Sequence, residues 1–205
     1  MTMDSFVMTM DSFVMTMDIG RPRNPRIDDA VLRATAELIG EMPYADLTVG
    51  AIAARAGTSK PAIYRRWPSK AALVHEAVFP IGSDTELPDT GTLFGDIREM
   101  VRRTLAVFST PAARAALPGL VGEMAADPQL HGMLLQRFGD ILVRGLGDFL
   151  DAAARRGEVR DDVTATDLAE SIAGITFVAL LGRGAVPGEV WIDRTATLIA
   201  KGISP

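Results

Sequence analysis

Residues 48–67 read TVGAIAARAGTSKPAIYRRW, and their reading decides the fold. Thr48 offers a side-chain cap to a short helix over about 48–56, and Gly57 supplies the left-handed residue that ends it. Thr58 and Ser59 cap a second short helix, whose Pro61 is tolerable only in a first turn. Pro68 pushes Trp67 out of the helical region and closes it. Two short helices joined by so tight a turn predict a helix-turn-helix, whose second helix enters the major groove of DNA. At about 100° per residue, Ile63 and Trp67 face Ile52, Ala53 and the first helix. Pro61, Ala62 and Arg65 point the other way, with Tyr64 on the flank. That face suits base edges: Arg bonds guanine O6 and N7 together, and an Ala or Pro surface meets a thymine methyl. The hydroxyls of Tyr64, Thr48 and Ser59, and Lys70, are better placed for phosphates, which position a protein without reading sequence.

Charge supports this reading once it is divided along the chain. The 205 residues carry 21 Lys+Arg against 26 Asp+Glu, a net −5 that taken alone argues against nucleic acid. Residues 19–75 hold nine bases and five acids, however, and residues 76–205 hold twelve bases and eighteen acids. No acid occurs in residues 47–75, where Arg65, Arg66 and Lys70 stand. A small basic unit joined to a larger acidic one differs from a uniformly acidic protein. The absence of cysteine excludes disulfide scaffolds, thiolate zinc sites and thiol catalysis, and favours a cytoplasmic chain. Aromatics are 6%, which favours helix over sheet, and the expected class is all-α. The longest charge-free apolar stretch, residues 171–182, is shorter than the ~20 residues of a membrane helix. Asp4, Asp11 and Asp18 stand where a signal peptide would need bases.

Working outward, MTMDSFV occurs at 1–7 and 8–14, and MTMD follows at 15–18. Two and a half copies are too few for a coiled coil or solenoid; the segment is read as an in-frame duplication near the start codon or as a start placed upstream of the working one (Met8, Met15 or Met17), and 1–20 as a disordered extension. Ile27, Val31, Leu32, Ala34, Leu38 and Ile39 predict a first helix over about 27–41, with Asp28 and Asp29 in its first turn. Ser69 starts a fourth helix, to about Phe79. Residues 80–92 hold prolines, glycines and little apolar content, and are read as a linker. Five longer helices are predicted beyond it: 93–109, 111–126 (bent or broken at Pro118-Gly119), 128–156, 164–182 and 189–203. The first of them is expected to pack against the 69–79 helix. The expected architecture is about nine helices: a small three-helix helix-turn-helix domain over 21–80, and a larger helical ligand-binding and dimerisation domain over 81–205.

The run LTVGAIAARAGTSKPAIYRRWPSKAALVHEAV resembles the amino-terminal domain of the TetR family of transcriptional repressors. Thr48, Ile52, Ala53, Ala56, Gly57, Ser59, Ile63, Tyr64, Arg65, Trp67, Ser69, Lys70 and Leu73 fit the family pattern. Trp67 stands where Phe is commoner. The resemblance implies phosphate contacts at Thr48, Tyr64 and Lys70, and base-facing positions from Ser59 through Lys60, Pro61 and Ala62, and at Arg65. Arg21, Arg23 and Arg26 form an extended basic arm before the first helix, suited to a narrow minor groove, and several family members carry a similar arm. With Thr58 and Arg66, these residues complete the expected DNA-binding set. The implied function is a DNA-binding regulator, a dimeric repressor released from operator DNA by a small apolar or amphipathic effector.

By the same resemblance the last two helices form the homodimer interface, for which Leu168, Ile172, Ile175, Ala179, Trp191, Thr195 and Leu198 are the candidates. Phe108, Leu120, Met124, Met133, Phe138, Leu142 and Phe177 are candidates to line an effector pocket, with Glu123, Gln136 or Arg137 to orient the ligand. His75 and His131 lie in separate units without carboxylates at ligand spacing, so neither metal nor cofactor is expected. Two other classes remain open. Asp161, Asp162 and Asp167 resemble the acidic motifs of all-α prenyl-transfer enzymes, although a turn before a helix is where acids cap. A helix-turn-helix used only for protein contacts would bind no DNA.

Overall fold

The computed structural model describes residues 25–79, 86–130, 132, 144–183 and 185–205. Among them, nine helices have defined bounds and no strand occurs: α1 (Pro25–Glu41), α2 (Val49–Arg55), α3 (Lys60–Tyr64), α4 (Lys70–Val78), α5 (Leu93–Phe108), α6 (Pro111–Ala126), α7 (Arg144–Arg155), α8 (Ala165–Gly182) and α9 (Glu189–Ile203). The all-α expectation holds. Residues 128–130 and 132 are helical too; of the single helix expected over 128–156, the stretch 133–143 lies outside the described residues, and α7 is an element with its own bounds.

The boundaries follow from hydrogen-bond supply. Thr48, Ser59, Ser69, Thr92, Thr110 and Thr164 each accept a bond from a first-turn backbone N–H, at 3.1 Å for Thr48 and 3.0 Å for Ser69. These caps satisfy donors that a helix start leaves orphaned. At α2 the chain stops through Gly57, at φ 64°, and Thr58 N–H returns to the Ala53 carbonyl at 2.9 Å. Such a left-handed residue costs a side-chain-bearing amino acid about 1 kcal/mol.

Pro118 does not break α6, which runs unbroken from Pro111 to Ala126. The carbonyl that Pro118 leaves without a helical donor belongs to Arg114, and both residues are exposed, so the group stays open to solvent and the usual penalty is blunted. The sharp turn comes earlier, at Ser109-Thr110, where α5 and α6 meet at 89°.

Two hydrophobic cores result, and they do not divide the chain at residue 80. The first joins Val31, Leu38 and Ile39 of α1 with Ile52, Ile63, Trp67, Leu73 and Val74, and is completed by Ala113, Ala116 and Leu120 of α6. The second gathers Ile97 and Val101 of α5, Leu150 and Ala153 of α7, Leu168 and Ile172 of α8, and Ala196 and Ile199 of α9. Thus α6, not α5, is the helix laid across α4 and α1. The small alanines of α6 allow that close approach. The end of α5 meets the cap of α4, where the Phe108 ring lies 5.5 Å from that of Phe79. Residues 86–92, expected as a free linker, are tied to α5. Asp96 accepts from the backbone and hydroxyl of Thr90 at 2.6 and 2.8 Å, and Arg103 donates to the Glu86 carbonyl at 2.8 Å.

Candidate nucleic-acid interface

Helix α3 is held by its inner side. Ile63 is buried, and so is Trp67, whose indole N–H donates to Glu76 at 2.5 Å. Fixing one face in this way presents the other: Pro61 and Arg65 are exposed, Ala62 is half-buried, and Tyr64 is 51% exposed. Arg65 has no ion pair among the described residues, so its fork is available to a base edge. The Thr48 and Ser59 oxygens are engaged in capping, which leaves each hydroxyl proton available to a phosphate oxygen. Exposed Lys60 lays its stem over α2. A Cβ at Gly50 would come within 2.8 Å of Lys60 Cε, so the glycine makes room for that cation at the helix start. Thr58 is half-buried in the turn and bonded back to Ala53 through its backbone N–H.

Other members of the expected set are committed within the protein. Arg66 pairs with Asp28 of α1 and donates to the Ala62 carbonyl at 3.0 Å, so it clamps the end of α3 to the start of α1. Arg26 is exposed in the first turn of α1; Arg21 and Arg23 lie outside the described residues. Lys70 donates to the Tyr44 carbonyl at 3.1 Å, sits 4.0 Å from the centre of the Tyr44 ring, and approaches Glu123 of α6 at 3.6 Å. Burial, and then the Glu123 carboxylate, pushes the Tyr44 phenol up, so this ring stays neutral beneath the ammonium. Two acids of α1 are masked by a base of α2. Arg55 binds Glu41 through two bonds of 3.0 and 2.9 Å and reaches Glu37 at 3.5 Å, and the bond to Arg55 lowers Glu41 below its usual range.

The carboxy-terminal expectations need correction in part. Leu168, Ile172 and Thr195 are sealed inside the protomer, because positions 168, 172, 176 and 180 form the buried stripe of α8. They are core residues and cannot meet a second copy. Ile175, Ala179 and Trp191 do share a surface groove of about 660 Å³ with Gly174, Val178, Gly182 and Arg183. Val178 in its lining is 65% exposed, and Val190 and Leu198 of α9 are 67% and 66% exposed. Val178 and Val190 escaped the sequence reading; a fourfold spacing from Gly174 through Val178 to Gly182 was the available signal. Among the effector candidates, Leu120 is buried against α1 and α4, and Phe108 and Met124 pack on that same core. Half-buried Phe108 packs against the second core as well. Phe177 is half-buried on α8, while Met133, Phe138 and Leu142, like Gln136 and Arg137, lie outside the described residues. Asp167 closes a reciprocal capping box with Thr164 and Asp162 pairs with Arg160, which accounts for two of the three acids that resembled a cation motif; Asp161 is exposed.

A braced helix-turn-helix with an exposed Tyr-Arg face, set on a helical bundle, defines a class of DNA-binding regulator. Residues 31–77 match the family described as bacterial regulatory proteins, tetR family, and residues 87–199 match the tetracyclin repressor-like C-terminal domain. The uncharacterised HTH-type transcriptional regulator YdeS of Bacillus subtilis (strain 168) is 29% identical over 188 residues, 90% of this chain and 93% of YdeS. Another uncharacterised HTH-type transcriptional regulator, Rv1556 of Mycobacterium tuberculosis H37Rv, is 32% identical over 172 residues, 82% of this chain and 80% of that protein. The crystal structure of the TetR family transcription regulator SCO0332 is similar at 27% identity with a TM-score of 0.65, covering 88% of this chain and 100% of that one. The chain belongs to the tetR family of bacterial regulatory proteins.

Proposed function

We propose that this regulator is a cytoplasmic homodimeric repressor that occupies operator DNA through α3 and leaves it when a small apolar or amphipathic effector enters the carboxy-terminal bundle. The carrying observation is the exposed Tyr64–Arg65 face of α3, held rigid by buried Ile63 and Trp67. Rigid backing lets a guanidinium discriminate between bases instead of sweeping over phosphates. Exposed Pro61 and half-buried Ala62 on that face admit a thymine methyl, and the Thr48, Ser59, Lys60 and Tyr64 side chains surround it with phosphate donors.

Dimerisation is supported by the apolarity of α8. Its mean hydropathy is 1.4, yet only 28% of it is buried within the protomer, so it carries more apolar surface than its own core consumes. A second copy across the α8/α9 groove would cover Val178, Val190 and Leu198 and set two copies of α3 against successive major grooves, about 34–36 Å apart. The test is a mobility-shift assay on the DNA flanking the gene, titrated with an apolar compound library. A sequence-specific, salt-dependent shift reversed by one compound class supports the reading. No shift on any flanking segment sinks it.

A further inference from the structure

Lys70 holds the position that the family pattern assigns to a DNA phosphate, yet its ammonium faces three groups of its own protein. Two of them belong to Tyr44: the carbonyl at 3.1 Å and the ring at 4.0 Å. These fix the stem and leave one direction open to exchange. The third group is the Glu123 carboxylate at 3.6 Å, delivered from α6. That separation exceeds the 2.7–2.9 Å of a charge-assisted hydrogen bond, so the pair is a loose Coulombic contact. Its members are 24% and 41% exposed, which lets water and ions compete for it. A carboxylate and a phosphodiester each present an anionic oxygen to the same donor.

We propose that Glu123 is an internal stand-in for the DNA backbone: it occupies Lys70 in the free protein, yields it to a phosphate on binding, and thereby sets operator affinity from a helix outside the helix-turn-helix. This rests on the DNA-binding reading above. Glu123 is therefore an affinity-setting residue rather than the effector contact that the sequence alone suggested. Its neighbour Gly119 lies against the Tyr44 ring, where a Cβ would overlap it, so α6 holds both the carboxylate and the platform under Lys70 in register.

The experiment is a double-mutant cycle read as DNA affinity at fixed salt, on a duplex enriched from a random library by the full-length wild-type protein. Glu123→Gln is expected to tighten binding about two- to fivefold per subunit, the range of a partly exposed ion pair. In a Lys70→Met background the same substitution should change nothing. Glu123→Asp, which keeps the charge but withdraws it by one methylene, should fall between wild type and Glu123→Gln. Equal tightening with and without Lys70 would overturn the proposal, because it would reveal only a general loss of negative charge. Unchanged or weaker binding by Glu123→Gln would overturn it as well, weaker binding marking a carboxylate that positions Lys70. A wild-type protein that enriches no duplex would instead sink the DNA-binding reading itself, and the proposal with it.

Discussion

At Arg65 a guanidinium stands exposed, while one residue further Arg66 is bound to Asp28 and the Ala62 carbonyl. Arg65→Ala is expected to lose about 1–3 kcal/mol per half-site and to relax preference at one base pair, since a bidentate guanine contact disappears. Binding to specific and random duplexes would separate the two effects; equal loss on both would reduce Arg65 to a phosphate contact. Arg66→Ala should act through the fold. Its partner is left partly buried without a counter-charge, and denaturation should show a cost of about 1–2 kcal/mol, between exposed and buried pairs. Asp28→Asn should cost about as much, and both should weaken all DNA sequences alike. Neighbouring bases in a sequence look equivalent, and the 3.6 period places Arg66 off the inner face. Only the return of α1 across the end of α3 decides its use, and that contact joins residues far apart in the chain.

Helix α6 offers a paired test of packing against propensity. Gly122 has open space where a Cβ would stand, whereas a Cβ at Gly119 would overlap the Tyr44 ring. Gly122→Ala should therefore stabilise the protein by about 0.5–1 kcal/mol through backbone entropy alone. Gly119→Ala should destabilise it despite the same gain in propensity, with both read by thermal denaturation. On α5, Glu99 is held near 2, against 4.5 for a free carboxyl, first by its bond to Arg102 and then by that to Arg103. A depressed carboxyl stabilises the fold above its unfolded pKa and loses that contribution as pH falls through the folded value. The stability gap between wild type and Glu99→Gln should thus be present at neutral pH and vanish between about 4.5 and 2; this exposed cluster limits the gap to about 1 kcal/mol or less. Three capped helix starts are legible in the sequence, since Thr48, Ser59 and Ser69 announce themselves by residue type, whereas the Thr164 cap is seen only in the structure. At Pro118 residue type leaves both a bend and a break open, and the continuous α6 excludes the break, since the cost depends on whether the freed carbonyl is exposed, which composition does not reveal.

For the molecule as a whole, the sequence identified which helices are apolar but not which apolar face meets which partner. Helix α8 is apolar nearly all round, so Leu168 and Ile172 could not be told from Val178 until α5 was seen against one side. Val178→Arg or Leu198→Arg should give a folded monomer by sedimentation velocity, with helicity retained and operator binding weakened. Ile172→Arg should unfold the carboxy-terminal bundle instead, because it buries an unpaired charge. The same ambiguity hid the destination of α6, whose Ala113, Ala116 and Leu120 close the core beneath the helix-turn-helix. That closure bears on how such a chain can be inherited. A recombination event in the linker would part α1 and α4 from the helix that roofs them, and leave the head with an open apolar flank. A crossover after α6 fares no better, because α5, threaded between, shares the second core with α7, α8 and α9. Related regulators that trade DNA specificities are thus expected to change surface residues of α3 in place rather than to exchange whole helices.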